Sequence, residues 1–136
     1  MLDPSTIELY RQTNYQVGDI LLNIDKKSCD AKTLLQSFAP AGGVFITAWN
    51  PLGKKLTTLE NEQANQQLKK VLLKQGLNVV DGYGESPGGK WRENSFFAYP
   101  VDQDASLALC HRFEQNAVVY VTSDGLPRLM LNLNFT

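Results

Sequence analysis

The segment WRENSFFA at residues 91–98 combines an indole, a carboxylate and a hydroxyl with the alternation of a β-strand. Alternate side chains on a strand share one side, here those of Trp91, Glu93, Ser95 and Phe97. If this side faces the helices, Glu93 is partly buried, its pKa rises, and it becomes a candidate general base. The structural alternative is that Glu93 pairs with Arg92, with Lys90 or with a helix N-terminus.

The amides of Asn50, Asn61 and Asn65 form a second group of interest. The longest predicted helix places Asn61 and Asn65 on its inward face, where apolar residues are usual. Buried amides must be hydrogen-bonded, and they can hold a ligand or a tight loop. For Asn50, which precedes Pro51, an Asx turn is the structural interpretation. If the Glu93 side of its strand faces the helices, Glu93 lies near these amides.

Thr47 and Trp49 in the segment VFITAWNP, and Gln115 in a later turn, complete the candidate site. A helix start near Thr58 offers backbone N–H groups, and the glycine-rich segment DGYGESPGGKW offers more. Nearby basic side chains supply charge, and Trp49 or Trp91 could stack on a planar group. We therefore expect a small anionic or planar ligand. The structural alternative is an ordinary hairpin turn beside a well-capped helix.

Several standard kinds of site are excluded by their motifs. GYGESPGG lies between two predicted strands and has Pro87 at the third glycine position, unlike a dinucleotide fingerprint. No Walker A sequence occurs. The only histidine, His111, falls at the far end of a predicted helix, away from the serines of the site. Because Cys29 and Cys110 are too far apart for a metal motif, we expect no metal and no cofactor.

Composition indicates one ordinary globular domain over residues 1–136, with 43% hydrophobic and 20% charged residues. The formal net charge is −1 and the basic residues are scattered, which argues against nucleic-acid binding. No apolar run approaches the length of a membrane span, and the N-terminus lacks an apolar secretion signal. We expect a cytoplasmic protein with neither a nucleic-acid nor a membrane partner.

The predicted elements over residues 44–122 run strand, helix, strand, strand, helix, strand. This order predicts an α+β fold, a ferredoxin-like split βαβ sandwich in which helices cover one face of an antiparallel sheet. An extra N-terminal strand, with a bulge at Gly18, and a C-terminal hairpin strand extend the sheet. The first strand of the unit is expected over 44–49, and a short strand over 77–80 follows the long helix.

Three segments of this topology share one edge of the sheet. They are the end of the first strand with the start of the next helix, the following hairpin, and the turn into the last strand. Together they carry the candidate ligand-binding residues Thr47, Trp49, Asn50, Asn61, Trp91, Glu93, Ser95 and Gln115. Glu93 is also the catalytic candidate. Tyr10, Thr13 and Tyr15 are expected to pack the N-terminal segment against the sheet, the alternative being that one hydroxyl reaches this edge.

Five motifs run along most of the chain: YRQTNY at 10–15, FITAWNP at 45–51, Glu60-Asn61, SPGGKWRENSF at 86–96 and QNAV at 115–118. In their type and order they resemble the bacterial family called domain of unknown function 3293. The resemblance implies a small cytoplasmic bacterial domain. It implies no particular reaction, cofactor or catalytic residue.

Two functions from different classes follow. The first is a ligand-binding module, with or without a modest enzymatic activity, whose site is the shared edge. The second is a protein-interaction or regulatory module, antitoxin-like or immunity-like, with no catalysis. Small size and an extensible sheet favour the second. Inward-facing amides favour the first, because an interaction surface does not require them.

Overall fold

The structure, a computed structural model, describes residues 3–133. These residues form four α-helices and seven strands. They are α1 (Pro4–Gln12), β1 (Asn14–Val17), β2 (Ile20–Leu22), α2 (Cys29–Leu35), β3 (Gly42–Ile46), α3 (Thr58–Lys74), β4 (Asn78–Glu85), β5 (Arg92–Val101), α4 (Gln103–Arg112), β6 (Ala117–Val121) and β7 (Pro127–Leu131). Short 3₁₀ turns lie at Gln36–Phe38 and Pro51–Gly53.

The strands form one antiparallel sheet in the order β2-β1-β4-β5-β3-β6-β7. The α+β class and the C-terminal hairpin strand are therefore confirmed. The N-terminal extension is a hairpin of two strands, and the predicted bulge at Gly18 is wrong. Val17 pairs with Ile20, so Gly18 and Asp19 form a two-residue turn, and Gly18 adopts a φ of +54°.

Helices cover both faces of the sheet, so the expectation of helices on one face holds only for α3 and α4. Leu68 and Leu72 of α3 and Leu109 of α4 pack with one set of strand residues. Ala31 and Leu35 of α2 pack with the opposite set. The physical reason is that the central strands β3 and β6 are buried on both sides, so each face needs a cover.

Strand β3 spans Gly42–Ile46 and not the predicted 44–49. The two glycines lie inside the strand because neighbouring groups approach their backbone closely. A Cβ on Gly42 would collide with the Val121 carbonyl oxygen, and one on Gly43 with the Phe97 ring. After Ile46 the chain leaves the sheet, since side chains of α3 take over its hydrogen bonding.

Strand β4 extends through Gly82 and Gly84 to Glu85, well beyond the short strand predicted over 77–80. A Cβ on Gly82 would collide with the Gln16 carbonyl oxygen of the neighbouring strand β1. The absence of a side chain there lets β1 pair closely with β4, which is the contact that carries the N-terminal hairpin.

The sheet curls so that strands that are not neighbours meet across one face. Two strands separate β1 from β3, yet the rings of Tyr15 and Phe45 lie 5.0 Å apart, edge to face. Tyr10 and Val17 pack into the same apolar cluster. This concave face, closed by α1 and β1, is where the largest departure from the predicted site occurs.

Helix α3 begins with a complete capping box between Thr57 and Glu60, as the sequence predicts, and Gly76 beyond its end has a φ of +81°. Asn61 and Asn65 are inward-facing, with exposed fractions of 2% and 5%. None of the helices within 3–133 combines the length and apolar character that a membrane crossing requires.

Candidate functional site

Asn50 and Asn61 form a closed pair. The Asn50 backbone N–H donates to Asn61 Oδ1 at 2.8 Å, and Asn61 Nδ2 donates to Asn50 Oδ1 at 2.8 Å. Asn50 Oδ1 also accepts from the backbone N–H of Leu56 at 3.0 Å, so its side chain closes a longer loop than an Asx turn. Asn50 adopts a φ of +45°, and the pair holds this turn between β3 and α3.

Asn65 ties the end of β3 to β5. Its Oδ1 accepts from the backbone N–H of Ala48 at 2.8 Å, and its Nδ2 donates to the Asn94 carbonyl at 2.9 Å. The Thr47 hydroxyl donates to the same carbonyl at 2.7 Å. Within the described part of the chain every fully buried side-chain nitrogen and oxygen has a hydrogen-bond partner. The three asparagines therefore stabilise the fold by hydrogen bonding, and their side chains join the segment after β3 to α3 and β5.

Trp49 lies with the asparagines on the α3 side of the sheet. It lines an open groove of about 450 Å³ together with Glu62, Lys69 and Asp81. The carbonyl of Trp49 accepts from Gln115 Nε2 at 3.4 Å, which joins the end of β3 to the turn before β6. The three predicted segments thus meet, but their side chains divide between two faces.

The other predicted residues line a cavity on the concave face. We call it the inner pocket; it measures about 60 Å³ and is lined in part by Thr47, Trp91, Glu93, Ser95 and Gln115. The side containing Glu93 faces away from α3, so Glu93 does not lie near the asparagines. Cross-strand pairing places Gly84 between Tyr15 and Glu93, and the missing side chain leaves the space.

Residues of the N-terminal segment close the inner pocket. Tyr10, Thr13 and Tyr15 all line it, as does Phe45. The sequence interpretation allowed one hydroxyl to reach the edge, whereas three side chains do so. The polar and aromatic motif YRQTNY was the available signal, but its contribution depends on the curl of the sheet, which local pattern does not reveal.

A second depression, here called the outer groove, opens beside the inner pocket. It measures about 170 Å³ and is lined by Thr6, Leu9, Tyr10, Thr13, Trp91 and Glu93. The last four residues also line the inner pocket, so Glu93 stands where the two spaces meet.

Burial dominates the electrostatics of the inner pocket. It raises the pKa of Glu93 to about 7. Burial, followed by the charge of Glu93, raises the pKa of Tyr10 to about 12, and burial also raises the pKa of Tyr15. Glu93 is therefore the group of this pocket that exchanges a proton near neutral pH.

The Glu93 carboxyl has no hydrogen-bond or ion-pair partner among residues 3–133. The structural alternative of a pairing with Arg92 is wrong, because the Arg92 guanidinium lies 3.3 Å from Glu85 Oε1 and 3.9 Å from the centre of the Tyr83 ring. Strand alternation explains this, since adjacent residues of β5 point to opposite sides of the sheet.

The start of α3 is occupied by the protein itself. Glu60 Oε1 accepts from the backbone N–H of Thr57 at 3.1 Å, and the Thr57 hydroxyl accepts from the Glu60 N–H. The carboxylate that the helix end favours is thus already present. Across residues 3–133 no three histidine, cysteine, aspartate or glutamate side chains group as metal ligands.

Comparison with known proteins identifies a family that matches this chain. The model of a family described as "Protein of unknown function (DUF3293)" matches residues 46–118, a little over half of the chain. The chain belongs to this family. No curated protein and no solved structure matches the sequence. In this DUF3293 protein the matched range holds every candidate residue from Thr47 to Gln115, whereas α1 and β1 precede it.

The arrangement in this DUF3293 protein is suited to binding and to proton transfer. A half-buried carboxyl shares with Tyr10, Thr47 and Ser95 the lining of a pocket beside which a groove opens. A carboxyl with a pKa near 7 can accept or donate a proton at physiological pH. The inner pocket, at about 60 Å³, is small, and the outer groove beside it is larger, at about 170 Å³.

Proposed function

We propose that the protein binds a small planar ligand at the inner pocket and outer groove. The observation that carries this proposal is the Glu93 carboxyl, which is half-buried at the junction of two spaces with no partner among residues 3–133. Burying a carboxyl without a partner costs free energy of folding. A ligand that contacts Glu93 would recover that free energy, which is why such a group favours a binding role.

Apolar side chains at the mouth support the planar part of the proposal. Trp91 is 42% exposed and Leu9 is 56% exposed, and both line the outer groove. Large exposed apolar side chains beside a polar cavity are typical of ligand sites, and an indole provides a stacking surface. The geometry gives less support to an anionic ligand, because no lysine, arginine or histidine lines either space among the described residues.

A modest enzymatic activity is compatible with the same site. Glu93 would be its general base or acid, since its pKa of about 7 balances the two protonation states near neutral pH. Ser95 and Thr47 are weak candidates for a catalytic nucleophile, because each hydroxyl donates its hydrogen to a backbone carbonyl.

We also propose a more specific fold and a cellular location for the protein. The central order β4-β5-β3-β6, with α3 and α4 on one face, supports a ferredoxin-like unit. The N-terminal hairpin and β7 then extend that unit at its two edges. The motif resemblance supports a bacterial cytoplasmic setting.

A fragment screen by NMR tests the binding role. We expect small planar fragments to shift the Trp91 indole signal and the amides of β5, and Glu93→Gln to weaken these hits about tenfold or more. Glu62→Gln is the matched control, because Glu62 is exposed on α3 on the other side of the sheet. A broad screen without any hit at these residues would refute the proposal.

Protein interaction is the second candidate function, and the sheet edges favour it. Strand β2 ends the sheet on one side, and its Leu21 is 51% exposed. An exposed edge can accept a strand from a partner protein. Pull-down from the native host with wild type and Leu21→Lys tests this, and we expect a specific partner only with wild type. Identical protein patterns from both baits would count against this role.

A further inference from the structure

We infer that the ligand of the inner pocket carries a planar group that donates hydrogen bonds, such as an amidinium or guanidinium head, and that it is therefore cationic. This inference rests on the proposed binding function and specifies its ligand class. It keeps the planar ligand and departs from the anionic one among the two kinds expected from the sequence.

Most hydroxyl groups of the inner pocket direct their single hydrogen to a backbone carbonyl. Thr13 Oγ1 donates to the Leu9 carbonyl at 2.6 Å, and Tyr15 Oη donates to the Tyr10 carbonyl at 2.7 Å. Ser95 Oγ donates to the Glu93 carbonyl at 3.1 Å. These hydroxyl groups can therefore only accept hydrogen bonds from a ligand, through the lone pairs of their oxygen atoms.

Thr47 and Gln115 follow the same rule. The Thr47 hydroxyl donates to the Asn94 carbonyl at 2.7 Å and accepts from the Trp49 backbone N–H at 3.1 Å, which leaves it one lone pair. Gln115 Nε2 donates to the carbonyls of Trp49, at 3.4 Å, and Phe113, at 3.3 Å. The amide nitrogen is thus engaged, and Gln115 has its oxygen left to offer. Tyr10 and Trp91 are the exceptions, since among residues 3–133 neither the Tyr10 hydroxyl hydrogen nor the Trp91 indole N–H has an acceptor.

A pocket rich in acceptors and poor in donors selects a ligand that donates. An anion would bring further lone pairs to hydroxyl groups whose hydrogens are already engaged, next to the carboxyl of Glu93, and only Tyr10 and Trp91 could donate to it. A planar cation would place its N–H groups against these oxygens and its charge beside Glu93. Aromatic side chains in the lining, Tyr10, Phe45 and Trp91 among them, suit a cation as well.

The volumes of the inner pocket and the outer groove indicate which part of such a ligand each would hold. A water molecule requires roughly 10–15 Å³ of cavity measured in this way, so the inner pocket of about 60 Å³ holds a group of only about four heavy atoms. An amidinium head has this size. The remainder of the ligand would lie in the outer groove between Leu9 and Trp91.

Three molecules of the same shape test the inference: benzamidine, benzamide and benzoate, which are cationic, neutral and anionic. Binding is measured by NMR shift titration of wild type, Glu93→Gln and the control Glu62→Gln. We expect benzamidine to bind wild type at least about tenfold more tightly than benzamide, and benzoate not to bind. Glu93→Gln should remove the preference for benzamidine, and Glu62→Gln should retain it.

Each other outcome overturns a defined part. Benzamidine and benzamide could bind equally well, or benzoate could bind more tightly, with shifts at Trp91 and β5. Either result would contradict a cationic ligand but would still support binding at this site. The same would follow if Glu93→Gln kept the full preference for benzamidine. If none of the three shifts residues of the pocket at millimolar concentration while other planar fragments do, the cationic ligand class fails alone, and if no fragment does, the binding function fails with it.

Discussion

At the residue scale, Glu93 and Asn61 show two opposite fates of a polar side chain taken out of water. Asn61 is 2% exposed and both ends of its amide are engaged by Asn50. Glu93 is buried enough for its pKa to rise to about 7, yet no partner within residues 3–133 engages its carboxyl. The first arrangement stabilises the fold, whereas the second lowers its stability and leaves a group for a ligand.

The raised pKa of Glu93 predicts that stability falls as pH rises. Below its ordinary value of 4.5 the carboxyl is protonated in both states, whereas above about 7 it ionises in the folded state against the cost of burial. Each pH unit between the two values corresponds to about 1.4 kcal/mol, so up to about 3 kcal/mol is lost. Tyr10 and Tyr15, the other titratable groups facing Glu93, stay neutral there because burial raises their pKa.

Urea denaturation of wild type and Glu93→Gln at about pH 5 and about pH 8.5 measures this effect. We expect Glu93→Gln to be the more stable protein at the higher pH and to lose much of the pH dependence. The control Glu62→Gln should follow wild type. Parallel pH profiles for wild type and Glu93→Gln would show that Glu93 is solvated as an ordinary surface carboxyl.

Asn61→Ala is predicted to destabilise the protein by about 2–4 kcal/mol, because it removes one hydrogen bond to each of two Asn50 groups and leaves a cavity. Asn78→Ala, at an exposed position with one hydrogen bond to the Tyr99 carbonyl, is the control and should cost less than about 1 kcal/mol. Thermal and urea unfolding measure both. A mild effect of Asn61→Ala would mean that water replaces the amide.

At the element scale, strand β4 decides whether the pocket exists. Gly82 lets β1 approach, and Gly84 leaves a gap between Tyr15 and Glu93. The two glycines occupy equivalent positions on one strand but serve different ends, since one permits pairing and the other provides space. A strand with side chains at both positions would either lose β1 or fill the inner pocket.

Alanine at these two glycines should therefore give different results. A Cβ at Gly82 meets backbone, so Gly82→Ala should cost about 1–3 kcal/mol and weaken the pairing of β1. A Cβ at Gly84 makes ordinary contact, 3.5 Å from Thr13 Cγ2, so Gly84→Ala should fold normally and yet reduce fragment binding. Thermal unfolding and NMR titration separate the two effects. Undiminished binding to Gly84→Ala would place the ligand elsewhere.

At the scale of the whole molecule, the curl of the sheet connects folding with the site. The Tyr15–Phe45 contact joins β1 to β3 across the concave face, and Tyr10 of α1 packs against the same cluster. This closure removes water from Glu93, so the same apolar contacts that stabilise the N-terminal hairpin also raise the pKa of its neighbour. Burial of the carboxyl is a property of the assembled sheet and not of β5 alone.

Tyr15→Leu should lower the pKa of Glu93 toward 4.5, since losing the ring contact loosens the closure and admits water. Tyr15→Phe is the matched control because it keeps the ring and removes only the hydroxyl that donates to the Tyr10 carbonyl. NMR titration of the Glu93 carboxyl carbon measures the pKa in each variant. A value near 7 in Tyr15→Leu would show that α1 alone keeps the carboxyl dry.

The sequence by itself determined features that depend on local chemistry. Residue spacing predicts the capping box of α3, its inward asparagines and the order of elements. Strand alternation predicts the shared side of Trp91, Glu93 and Ser95. Such patterns act over a few residues, where geometry is nearly independent of the rest of the chain.

Only the tertiary structure decided which polar residues are closed off and which adjoin a cavity. Asn50 and Asn61 bond to each other, while Glu93 faces a pocket whose other wall comes from Tyr10 and Tyr15. That wall depends on a long-range contact, the curl that brings β1 over β3. Local alternation specifies a side of a strand, but only the packing of distant strands specifies what covers that side.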